Sequence, residues 1–144
     1  MAGAGVLVGA WLTAGPSQLG GPVSYAIVSG SSMEPYLHRG DLVVLRPADL
    51  YRVGEVVAYR TAGGATILHR VVATIADRFV LRGDANSWID PYEPARQHIV
   101  GRLDRRFPGA GRFLVWLRSP VPASVTVGVV SFWVGARYVR RVPA

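Results

Sequence analysis

A mostly β domain is what this sequence predicts, and three observations predict it. Between residues 23 and 107 the chain is a succession of short runs rich in β-branched residues. Gly, Pro, Asp and Asn separate the runs, and no 3.6-residue apolar period intervenes between them. Close spacing without helices favours antiparallel sheets forming a coiled, barrel-like domain over a doubly wound α/β sheet. The period-2 alternation is imperfect, so the order of strands does not follow from it.

The runs are "VSYAIV" from Val23, "DLVVLR" from Asp41, "GEVVAYR" from Gly54, "ATILHRVVATI" from Ala65, "RFVLRG" from Arg78 and "HIVGRL" from His98. Each has strand length and is bounded by turn-formers.

Outside this domain the chain is apolar at both ends. "GVLVGAWLTAG" is well short of the roughly 20 residues a membrane-crossing helix needs. It also lacks the charged start and small-residue cleavage site of a removable leader. Residues 1–22 are therefore read as a partial N-terminal membrane anchor behind a truncated or late start. The Gly/Pro-rich "RFPGAGRF" opens a linker over 108–118. A transmembrane helix is expected over 119–139, with its apolar run from Val121 to Ala136, followed by a basic tail at 140–144. An apolar tail packed on the domain is the alternative. Arginines flank the run on both sides, so charge does not orient it.

The net charge of +7 with 50% apolar residues suits a chain lying against anionic lipid. Its arginines are mostly scattered through apolar runs and not gathered into a stripe, which argues against nucleic acid as a partner. There is no cysteine, hence no thiol nucleophile or cysteine-held metal, and zinc-ligand spacings are absent. No metal or cofactor is expected. All 16 Lys and Arg residues are arginine, so no lysine can act as a neutral amine base. His38, His69 and His98 are the only side chains that ordinarily titrate near neutrality.

"SGSSMEP", residues 29–35, raises the question of a serine nucleophile, which needs a base and is best served by a third group that holds the base. His69 lies within a strand run, with Arg70 on the opposite face; such a histidine is more often structural. His38 sits in a turn and reads as solvated, and His98 begins a late strand with no acidic neighbour. "RGDANSWIDP" supplies Asp84 and Asp90 in a loop after a strand, where catalytic groups tend to sit, although both are also ordinary turn-formers. Pro35 is expected to end the strand that leads to the serines, and Met33 to offer flexible apolar packing.

Read together and in order, "GSSMEP", "GDLVVL", "GEVVAYR", "LHRVV" and "GDANSWID" resemble the boxes of type I signal peptidases, in the branch of the archaeal and endoplasmic-reticulum enzymes. The resemblance covers residues 25 to 103. It implies Ser32, the serine directly before the methionine, as nucleophile, His69 as general base, and Asp90 as third member. Gly83 and Asp84 match the family's "GD" box, with Asp84 shaping the loop. The family's lysine variants, self-cleaving repressor peptidases included, do not fit a lysine-free chain. One departure stands out: the family's oxyanion serine lies two positions before the nucleophile, where this chain has Gly30. Ser29 and Ser31 are then the candidates for a side-chain oxyanion donor beside the Ser32 N–H.

The expectation is a membrane-bound serine endopeptidase that removes signal peptides from exported precursors. Signal peptides and membrane lipid are its partners, and its catalytic domain lies on the extracytoplasmic side of the cell membrane. The alternatives are a non-catalytic β domain that binds exported chains, and a dedicated maturation peptidase for one surface protein.

Overall fold

The computed structural model describes residues 12–119. Six strands form: β1 (Ser24–Ile27), β2 (Leu42–Arg46), β3 (Val56–Arg60), β4 (Thr66–Ile75), β5 (Arg78–Arg82) and β6 (Ile99–Phe107). Each falls within one of the six runs read from sequence, except that β6 continues past its run to Phe107. All pair antiparallel in a single sheet of order β1-β2-β6-β3-β4-β5.

The architecture is thus one sheet, where several were expected, and it does not close into a barrel. Strands β1 and β4 nevertheless line one cleft of 310 Å³, so the sheet curls until strands distant in its order face each other.

Both faces of the sheet are covered, which explains the weak alternation. Val57 and Tyr59 of β3 join Tyr51, Val71, Phe79, Leu81 and Ile99 in one buried cluster. Val56 and Ala58 point the other way, into a cluster with Met33, Leu37, Val43 and Leu45. A strand buried on both faces reads as a continuous apolar run.

Helix α1 (Ala110–Leu117) lies inside the segment read as a linker. The sheet belongs wholly to the compact unit that ends at Gly111. Among the described residues no helix is long and apolar enough to cross a membrane. The expected transmembrane helix and basic tail, from residue 120 on, and residues 1–11 of the expected N-terminal anchor lie outside the described residues.

Candidate active site

Three separate segments bring the site together. After β1 the chain enters a turn in which Met33 and Leu37, both buried, plug into one core cluster while the Leu37 N–H bonds the Met33 carbonyl (2.9 Å). Anchored on either side of the turn's bend, the core leaves Ser32 half-buried at the rim of the cleft. Met33 accordingly packs in the core and also lines the cleft. Pro35 does not end the strand as expected: β1 stops at Ile27, where main-chain pairing with β2 ends, and Pro35 sits exposed in the turn.

β4 supplies the histidine. His69 is opposite Val57 of β3, only 6% exposed, and points into the face that carries Tyr59 and Val71. The loop after β5 supplies the acid. The Asp90 N–H bonds the Leu81 carbonyl (2.9 Å), and its carboxylate is 8% exposed.

The resulting hydrogen bonds form an unbroken chain. Ser32 Oγ lies 3.0 Å from His69 Nε2, and His69 Nδ1 lies 2.6 Å from Asp90 Oδ2. An ionised carboxylate only accepts, so the proton belongs on Nδ1; Nε2 is then free to accept from the Ser32 hydroxyl. Asp90 Oδ2 also accepts from the Tyr59 hydroxyl (2.8 Å). Burial first, then this hydrogen bond and the charge of Asp90, push the Tyr59 hydroxyl above its ordinary pKa of 10.0, so it remains a neutral donor.

The loop is fastened to the Ser32 turn by main chain. The Ala85 N–H donates to the Ser32 carbonyl (2.9 Å), and the Asn86 N–H to the Gly83 carbonyl (3.0 Å). Asp84 takes no part in the hydrogen-bonded chain. Its two oxygens accept from Arg70 Nε (2.8 Å) and Nη2 (2.6 Å) in a two-pronged pair. These bonds raise the Arg70 pKa further, against the opposing effect of burial. Arg70 also donates to the Gly54 carbonyl (2.7 Å) and lies over the Tyr36 ring at 4.9 Å. One guanidinium therefore joins the turn that carries Ser32 and Tyr36, the Asp84 loop and the turn before β3.

The structure brings Ser32, His69 and Asp90 together, places Asp84 as a loop clamp, and leaves the other two histidines aside. His38 is exposed, with its Nδ1 facing Arg106 Nη2 (2.9 Å), and His98 is half-buried beside the Tyr92 hydroxyl (3.3 Å). Ser29 and Ser31 are both exposed, yet only Ser29 lines the cleft with Gly30 and Ser32. Among the described residues neither serine hydroxyl, nor the Ser32 N–H, has a hydrogen-bond partner.

Tyr59 and the clamping role of Arg70 were not read from sequence. The signal for the first was a tyrosine in a strand buried on both faces, whose hydroxyl must find an acceptor. For Arg70 the signal was a cation at mid-strand, which needs a carboxylate close by.

The cleft runs away from Ser32 between two strand edges. One is β1, at the end of the sheet. The other is the first part of β4, residues 66–68, which pairs with β3 on one side only because β5 pairing begins at Arg70. Ala26, Ile27, Val28, Ile67 and Leu68 make its walls apolar.

A family model described as Peptidase S24-like matches residues 10–103, a span that includes all three members of the chain. The signal peptidase complex catalytic subunit SEC11 of Metarhizium acridum is 30% identical over 129 residues, covering 78% of this chain and 75% of that protein. SEC11 of Metarhizium robertsii shares the same 30% identity and the same coverage. In Verticillium alfalfae the corresponding subunit is 31% identical over 125 residues, 76% of this chain and 73% of the relative.

Proposed function

This chain belongs to the S24-like peptidase family, in the endoplasmic-reticulum-like branch of type I signal peptidases, and from that membership we propose that it is a membrane-bound serine endopeptidase removing signal peptides from exported precursors. The observation that carries the reading is the Ser32–His69–Asp90 chain, with Ser32 at the mouth of an apolar cleft. An unbroken donor–acceptor path from hydroxyl to buried carboxylate is the arrangement acyl transfer needs, and it favours an enzyme over a silent binding domain.

In this reading Ser32 Oγ attacks the scissile carbonyl while its proton passes to His69 Nε2. His69 then returns that proton to the leaving amine, and Asp90 holds the tautomer and stabilises the imidazolium. Water, activated by the same histidine, releases the acyl group. The Ser32 N–H is one donor to the oxyanion. We assign Ser29 as the second, because it shares the cleft and has a free hydroxyl, whereas Ser31 faces solvent outside it. Asp84 acts on the loop through Arg70.

The substrate lies extended between the two unpaired edges, so strand addition supplies affinity and the apolar walls select side chains. The curated relatives are named as catalytic subunits of a signal peptidase complex, which supports exported precursors as substrates. Membrane lipid is the surface on which such precursors are met, and cleavage after translocation puts the catalytic domain on the extracytoplasmic side.

The test is cleavage of a signal-peptide-bearing precursor by the wild-type chain in membranes, beside Ser32→Ala and His69→Ala. Loss of turnover by several orders of magnitude in both is expected. Wild-type rates in either variant would sink the assignment. Cleavage confined to one surface protein in a comparison of secreted proteins with and without the enzyme would narrow it to a dedicated maturation peptidase.

A further inference from the structure

We propose that Tyr59 is a positioning residue for this reaction, whose hydroxyl and ring together hold Asp90 in line with His69. The proposal rests on the reading of Ser32, His69 and Asp90 as a working unit.

Asp90 lies on a loop, so its carboxylate needs an external reference to keep one orientation. Among the described residues that carboxylate has two side-chain donors, His69 Nδ1 at 2.6 Å and Tyr59 OH at 2.8 Å, and both reach Oδ2. His69 is the group being positioned, which leaves Tyr59 as the independent anchor. The tyrosine is well placed for this. It sits in β3, flanked by β4 and β6, is 1% exposed, and lies two residues along from Val57, the register partner of His69. Tyrosine and histidine therefore leave the same face of adjacent strands, and the carboxylate spans the diagonal between them.

The segment carrying Asp90 grips Tyr59 a second time. Tyr92, two residues on, stacks on the Tyr59 ring with centroids 6.1 Å apart and planes 25° from parallel. A slip of the loop along β3 would break the hydroxyl contact and the ring stack together. The neighbouring carboxylate, Asp84, is already committed, since it pairs with Arg70 on the opposite face of β4. Phenylalanine at position 59 would keep the packing and the stack, and lose the donor alone.

The experiment compares wild type, Tyr59→Phe and Ser32→Ala in three measurements: precursor cleavage, modification of Ser32 by a fluorophosphonate, and thermal unfolding. Expected for Tyr59→Phe is a kcat lower by about tenfold with KM unchanged, and a fluorophosphonate rate constant lower by a similar factor. Its Tm should stay within a few degrees of wild type. A merely structural role would instead lower Tm and the fraction of protein that labels while leaving the rate constant of the folded fraction unchanged; that result overturns the proposal. Equal rate constants and equal kcat in wild type and Tyr59→Phe also overturn it, with the reading of the site intact. Wild type that labels no faster than Ser32→Ala overturns the reading of the site and the role of Tyr59 with it.

Discussion

Gly83 and Ser32 meet backbone to backbone: a β-carbon on Gly83 would stand 2.6 Å from the Ser32 carbonyl oxygen and 3.0 Å from His69 Nε2. The first is an approach that real β-carbons do not make and the second would force the ring to shift, so the absence of a side chain at position 83 is what lets the Asp90 loop close onto the Ser32 turn. Gly83→Ala is expected to push Ser32 out of hydrogen-bond reach of His69. Steady-state cleavage should fall by about a hundredfold or more, as misplacement by an ångström does elsewhere. Overpacking of this kind costs about 1–3 kcal/mol of stability, so urea unfolding should still show a cooperative transition. Near-wild-type turnover would mean that the two segments move apart without consequence.

The pair of acids in "RGDANSWIDP" shows how far residue order could take the site and where it stopped. Asp84 and Asp90 are both turn-formers in one loop, and their residue type alone does not say which of them meets a histidine; only the family resemblance singles out Asp90. The structure decides it by face. Arg70 leaves β4 on the side opposite His69 and captures Asp84, so Asp90 is the acid left for the imidazole. Strand existence was legible because each run has β-branched content and turn-formers at its ends. Strand order was not, because β6 inserts between β2 and β3, a pairing that no local pattern encodes. Tyr59 was hidden for a related reason: in a strand buried on both faces a tyrosine reads as packing, and its hydroxyl partner comes from a distant loop.

Arg70 and Asp84 should behave as one unit. Arg70→Lys keeps the charge but loses the fork that matches both carboxylate oxygens, and Asp84→Asn removes the charge it meets. Each single variant is expected to destabilise the domain by about 1–2 kcal/mol. The double variant should cost clearly less than their sum, with a coupling energy on the order of 1 kcal/mol in a urea double-mutant cycle. Strict additivity would mean that the two-pronged pair contributes nothing in solution.

Asp41 predicts an acid limb in stability. It is 3% exposed, accepts from the His38 N–H (2.8 Å) and the Gly109 N–H (3.0 Å), and pairs with Arg106 Nε at 2.7 Å. Burial alone would raise its pKa, but the two N–H bonds and the guanidinium outweigh it and hold the carboxyl below its ordinary 3.8. The unfolded chain therefore binds this proton at a pH where the native state still refuses it. The contribution is complete above 3.8 and is lost as pH falls through the lower native value. Asp41→Asn should cost about 2–3 kcal/mol at neutral pH. It should also lose less stability than wild type as pH falls below the carboxyl's ordinary 3.8 in urea titrations. Parallel acid limbs in the two proteins would assign the loss to other carboxyls.

The β4–β5 hairpin offers a stabilising change away from the site. Its loop is Ala76 and Asp77, and Ala76 has φ of 53°, the sole positive value for a non-glycine among the described residues. Positive φ at the first central position alone is the pattern of a II′ turn, whose backbone twist suits a hairpin and which favours glycine there. An alanine held at this angle brings its β-carbon close to the neighbouring carbonyl, at a cost of about 1 kcal/mol. Ala76→Gly removes that clash, and the greater freedom of glycine in the unfolded chain returns part of the gain. The net expectation is a rise of about 0.5 kcal/mol, read as a higher urea midpoint with unchanged slope. Cleavage should not change, because the turn lies beyond the far end of the extended strand β4 from His69, after the last register pair Ile75–Arg78. A lower midpoint would show that the hairpin relaxes around alanine and that no strain is stored at this turn.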